Sequence, residues 1–133
     1  MKLLLDTHAL LWWWTDDKQL SKAAREAILD EDNTVLVSAA SVWEISTKFR
    51  LGKLPIAEPA IGQFHQLIEA DGFENLAMTW QHSLLAEGYM CAHRDPFDRM
   101  LAAQSEIEKR SGCLIICNAA ATRMTNRAKS AIV

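Results

Sequence analysis

At 133 residues the chain is long enough to bury a core without disulfides or a structural metal, and it reads as one domain spanning 1–133. Hydrophobic residues make up 50% of it and aromatics 8%, so its apolar weight is aliphatic and alanine-rich, as in a sheet covered by helices. The net charge of -3 argues against a protein that grips nucleic acid by overall positive charge. Locally the balance differs, because Lys109, Arg110, Arg123, Arg127 and Lys129 follow Glu108 with no further acid, which makes the C-terminal end basic.

Met1 to Leu5 is a short apolar run that stops at Asp6, the pattern of a buried parallel strand ending at the rim of a sheet. Thr7 to Trp14 is apolar on nearly every side and predicts a short buried helix. Ser21 is placed to cap a helix running to about Asp30, with Ala24, Ala27 and Ile28 inward. Thr34 to Ser38 reads as a second buried strand, and Ser41-Val42-Trp43-Glu44 opens a helix that Gly52 ends. Pro59 starts another helix, stopped by Gly72; Phe73 to Met78 is a third strand, and Thr79 caps a helix through about Gly88. Asp95-Pro96-Phe97-Asp98 combines a cap, a proline at the first helical position and an acid in the first turn, and predicts a helix to Arg110. Gly112 ends that helix, Cys113 to Cys117 forms a fourth strand, and Ala131 to Val133 a short fifth. Strands separated by helices predict parallel pairing in a three-layer α/β/α sandwich.

No apolar run reaches the roughly 20 residues of a membrane span. Asp6 interrupts the N-terminal run before a signal-peptide core develops, so no membrane association and a cytoplasmic location are expected. Cys91, Cys113 and Cys117 are odd in number and none forms a CxxC pair, which suits reduced thiols that pack as small hydrophobes.

Ligands of open parallel sheets bind beyond the carboxyl ends of the strands. Asp6 follows the first strand, Ser38 ends the second and leads to Glu44, Asn118 follows the fourth, and Asp98 lies in the first turn of the preceding helix. Carboxylates gathered at one rim repel by kilocalories at a reduced dielectric, and a divalent cation offsets that repulsion. Oxygen donors without Cys or several His select Mg²⁺ or Mn²⁺ over zinc, and such an ion suits phosphodiester hydrolysis. Each acid also has a plainer reading. Glu44 stands three residues after Ser41, as in a capping box; Asp98 complements a helix dipole; Asp6 caps the helix after it.

At these residues the chain resembles the PIN-domain ribonucleases, and within them the VapC-type toxins of bacterial toxin-antitoxin pairs. The matching segments are Leu3 to Trp12, Val37 to Ile45, Leu51-Gly52-Lys53-Leu54, and His93 to Gln104, in order over most of the chain. The resemblance implies a PIN-like fold, Mg²⁺ or Mn²⁺ dependence, endonucleolytic cleavage of RNA, and inhibition by a cognate VapB-type antitoxin. Carried over residue by residue, Asp6 matches the first acid of the family, Glu44 the second and Asp98, better than Asp95, the third, with Asp95 a neighbour that either tunes the field or reaches the metal through water. After the fourth strand, where the family often has a further Asp, Cys117-Asn118-Ala119 offers an amide and a methyl, so the site has one less charge.

Thr7 and Ser38 are placed to hydrogen-bond the acids as supporting groups. Arg94 and Arg99 flank the third acid and either meet substrate phosphate or pair with Asp95 or Glu106; His8 and His93 are candidates for proton transfer. Trp12, Trp13 and Trp14 are too many for one core face, so one of them is expected to pack against a partner. The expected partners are RNA, the antitoxin and a second copy of the chain. The competing function is a catalytically impaired PIN-like binding module that acts through protein contacts, its acids serving as helix caps. A phosphatase-like or receiver-like acidic site is disfavoured by the lack of a suitable Lys after a strand.

Overall fold

In the computed structural model, residues 1–54, 61–90, 95–110 and 112–116 are described. Among them the elements follow one another as β1 (Lys2–Leu5), α1 (Thr7–Trp14), α2 (Lys22–Leu29), β2 (Thr34–Ser38), α3 (Ala39–Arg50), α4 (Phe64–Asp71), β3 (Glu74–Leu76), α5 (Trp80–Gly88), α6 (Pro96–Lys109) and β4 (Cys113–Ile116). Asn118, the fifth strand at 131–133, the basic residues Arg123, Arg127 and Lys129, Pro59, His93, Arg94, Cys91 and Cys117 lie outside the described residues.

The four strands are all parallel, in the order β3-β2-β1-β4. The register sets Leu5 beside Val37 on one side and Ile116 on the other, so Asp6 and Ser38 emerge side by side at the carboxyl edge. Alternation along the strands feeds two cores. Leu3, Leu5, Val35 and Val37 join Ala9, Leu10, Ile28, Ile45 and Phe73 in one cluster, while Leu4, Leu36 and Cys113 form another on the opposite face. A sheet buried on both faces, with helices between its strands, is a three-layer α/β/α sandwich. Among the described residues no helix is long and apolar enough to cross a membrane.

Local signals explain most helix boundaries. Ser21 accepts from the Ala24 amide at 3.1 Å, and Thr79 and His82 form a reciprocal capping box at the start of α5. Pro96 occupies the first position of α6, where its missing N–H costs nothing, and Asp95 caps it.

Three boundaries differ from expectation. The helix expected from Pro59 to Gly72 is not continuous, because Gln63 stands at φ -125° and ψ 19° and α4 begins only at Phe64. The cap of α3 is Ser38, which accepts from the Ala40 amide at 3.0 Å, so the helix begins directly off β2 and not at Ser41. β3 is shorter than the apolar pattern suggests, because the Phe73 amide donates to Ile68 at 3.0 Å in the closing turn of α4. Gly72 makes that turn possible at φ 67°, a left-handed conformation that favours glycine.

The tryptophans of α1, each partly buried, find neighbours within the chain. All three pack against the first core cluster, and the indoles of Trp13 and Trp14 both donate to Asp71 Oδ2, at 3.1 and 2.9 Å. Trp14 meets Phe64 edge-on, with ring centroids 5.3 Å apart.

Candidate active site

The sheet order creates a switch point. From β1 the chain moves outward to β2 and then β3, and β4 returns to the other side of β1. Asp6 sits at that point and its amide donates to the Ile116 carbonyl at 2.9 Å. Asp6 is buried and extended, and its Oδ1 accepts from the Ala9 amide at 2.7 Å, so it caps α1 while lying at the rim.

Glu44 lies in the second turn of α3, which packs against both α1 and α6. With Ser38 as the cap, Glu44 is not the third residue of a capping box. It is 1% exposed, and a carboxylate so buried needs charge or hydrogen-bond partners for both oxygens. Thr7 Oγ1 donates to Glu44 Oε1 at 2.6 Å, tying α1 to α3. The Lys48 ammonium, one helical turn on, donates to Oε2.

Asp98 is half-buried in the first turn of α6. Asp95 fulfils its plainer role: its Oδ1 accepts from the Phe97 amide at 2.9 Å and the Asp98 amide at 3.4 Å. Lys48 reports how these groups stand together. Partial burial draws its pKa down, but the hydrogen bond to Glu44 and the charges of Glu44, Asp95 and Asp98 outweigh that effect and hold it above the ordinary lysine value. One ammonium on α3 thus feels carboxylates from both α3 and α6.

Ser38, placed by sequence among groups that bond the acids, has other partners. Its hydroxyl donates to Gln104 Oε1 on α6, and Gln104 Nε2 donates to the Ala77 carbonyl at 3.4 Å. Gln104 therefore fixes the start of α3, and through it the helix that carries Glu44, against α6 and the end of β3. Arg99 donates to the carbonyls of Tyr89 at 2.9 Å and Glu87 at 3.2 Å, and Glu106 accepts instead from the Tyr89 hydroxyl at 2.8 Å. His8 lies against Trp12, with centroids 6.0 Å apart.

Lys48 and Gln104 are the residues that sequence reasoning passed over. Lys48 carried a usable signal, its position four residues after Glu44 on a helix. Gln104 stood out only as an amide inside the apolar run of α6.

Among the described residues, no three His, Cys, Asp or Glu side chains converge tightly enough to form a ready-made ion cage. The donor chemistry nevertheless fits a hard cation. Asp6, Glu44 and Asp98 offer oxygen only, and the carboxylates of α3 and α6 already stabilise a positive charge on Lys48.

The family model described as "PIN domain" matches residues 3–122. The chain is 37% identical over 59 residues to "Ribonuclease VapC16" of Mycobacterium tuberculosis, covering 44% of this chain and 42% of the relative. It is 33% identical over 67 residues to "Ribonuclease VapC22" of the same organism, covering 50% and 51% respectively. The aligned region spans about half the length of these curated relatives.

Proposed function

This chain belongs to the PIN-domain family, and on that premise we propose that it is a metal-dependent endoribonuclease acting as the toxin of a toxin-antitoxin pair. Its relatives are named as ribonucleases. The observation that carries the reading is the setting of Glu44: a carboxylate buried beneath the rim at the switch point, held from α1 by Thr7 and sharing Lys48 with the acids of α6. A helix cap needs no such arrangement, and this disfavours the non-catalytic module.

In this reading Asp6 and Asp98 hold Mg²⁺ or Mn²⁺ and Glu44 positions the ion or the attacking water. When bound, the ion supplies a lowered water pKa and charge compensation at the phosphate. Thr7 fixes the Glu44 carboxylate, Ser38 fixes the start of α3, and Asp95 sets the first turn of α6 while adding negative field. Asn118, outside the described residues, is the neutral amide that the sequence offers where the family often has a further acid. Water attacks phosphorus, the bond to the leaving oxygen breaks, and that oxygen takes up a proton. RNA is the proposed substrate, and a VapB-type antitoxin and a second copy of the chain are the proposed protein partners, in the cytoplasm.

Asp6→Asn and Asp98→Asn are expected to abolish Mn²⁺-dependent cleavage of RNA while leaving the circular dichroism spectrum unchanged. Either variant cutting at the parent rate overturns the assignment.

A further inference from the structure

The pairing of Lys48 with Glu44 is unequal in a way that matters. The Glu44 side chain is 2% exposed and the Lys48 side chain 31%. Lys48 therefore reaches the carboxylate from the solvent side along its apolar stem, and its ammonium can leave by rotation about side-chain bonds without dragging a charge through the core. Both residues lie on α3, so their ion pair joins no two elements of the fold. Thr7, by contrast, bonds the other oxygen of Glu44 from α1. What Lys48 contributes is positive charge, placed where Glu44, Asp95 and Asp98 all act on it.

Resting on the metal-dependent reading above, we propose that Lys48 is a placeholder cation: it neutralises Glu44 while the divalent ion is away and gives up Glu44 Oε2 when the ion binds. The ammonium and the ion then compete for one carboxylate oxygen and one electrostatic field, and Thr7 keeps Glu44 oriented through the exchange. Lys48 is a positioning residue in this scheme. Its released ammonium stays tethered at the edge of the site, where its charge suits a phosphate oxygen of the incoming RNA.

The test is Mn²⁺ binding by calorimetry, with thermal melting in the presence of chelator, on the parent, Lys48→Met and Lys48→Arg. Removing one positive charge a few ångströms from a dication in a largely aqueous dielectric is expected to tighten Mn²⁺ binding about tenfold or more in Lys48→Met. The same variant is expected to melt lower than the parent in chelator, because Glu44 loses its neutralising partner, and to recover when Mn²⁺ is added. Lys48→Arg keeps the charge and the fold, clamps the carboxylate with a planar fork, and is expected to bind Mn²⁺ more weakly than the parent. A lysine with a merely structural role predicts the opposite sign in Lys48→Met, with melting temperature and Mn²⁺ affinity falling together. Parent binding with Lys48→Met no tighter overturns the placeholder alone, as does Lys48→Arg binding as tightly as the parent. Absence of Mn²⁺ binding in the parent up to millimolar concentration overturns both this proposal and the metal-site reading beneath it.

Discussion

Replacing Thr7 by Val removes one hydroxyl and leaves the side chain otherwise similar in shape, which makes it a sharp probe of how Glu44 is held. The hydroxyl donates to Glu44 Oε1 at 2.6 Å, and both residues are buried. A hydrogen bond to a charged group contributes roughly 1.5–3 kcal/mol, and here the acceptor left behind is an oxygen with no route to bulk water. Lys48 still neutralises the other oxygen, which places the expected loss near the middle of that range, about 2 kcal/mol. For a chain of this length that corresponds to a drop of roughly 6–10 °C in melting temperature. Urea unfolding followed by circular dichroism measures the stability, and Thr7→Ser, which retains the donor, is the control expected to recover most of it. On the proposed function, cleavage of RNA by Thr7→Val is expected to slow by about tenfold or more, because a carboxylate free to rotate by one bond no longer holds its position. Thr7→Val within about 0.5 kcal/mol of the parent, or Thr7→Ser falling equally far, refutes the view that this bond holds α1 and α3 in register at the site.

Three further outcomes follow from the packing. Gln104→Leu takes away the acceptor of the buried Ser38 hydroxyl and the donor to Ala77, and is expected to lower the urea midpoint by the equivalent of about 2 kcal/mol; an unchanged midpoint argues that α3 is fixed by other contacts. His82→Ala removes the side-chain half of the capping box of α5, leaving the Thr79 amide without its Nδ1 acceptor, and the contact of Nε2 with Glu108 at 3.3 Å, and also opens a buried cavity, with an expected cost of about 2–3 kcal/mol by chemical denaturation. Burial, with the nearby charge of Glu108, pushes the Cys113 thiol above its ordinary pKa. The folded state therefore holds that proton more tightly than the unfolded chain, so the contribution is complete below about pH 8.5 and is lost as pH rises through the folded pKa. Melting temperatures taken from pH 7 to 10 are expected to fall more steeply for the parent than for Cys113→Ala, and parallel slopes contradict this.

Much of the fold is written in local signals. Leu3 to Leu5 ends abruptly at Asp6, and Ser21, Thr79 and Asp95-Pro96 mark helix starts where the structure has them, since a cap acts over three residues and needs no knowledge of the rest of the chain. The start of α3 was ambiguous because Ser38 and Ser41 are both competent caps. Tertiary packing decides between them: Ser38 gains Gln104, 66 residues away, whereas the buried Ser41 hydroxyl has no hydrogen-bond partner among the described residues. That distance also explains why Gln104 was passed over, since nothing near it in sequence indicates what its amide supports. Asp6, Glu44 and Asp98 stood out as acids at strand ends and helix starts. The separation of caps from other roles required coordinates, because Asp95 and Glu44 look alike in sequence and only burial shows that one faces a helix terminus while the other is enclosed by α1 and α3.

The strand order has a bearing on synthesis. Of the four described strands β1 is made first, yet it remains an edge strand on one side until Cys113–Ile116 arrives to pair with it. Until then the rim beside Asp6 is half open, and α6, with Asp98, has no closing strand to hold it there. A growing chain therefore cannot complete the sheet around Asp6 until residues 113–116 have been made, so the rim is assembled only after the helices that flank it.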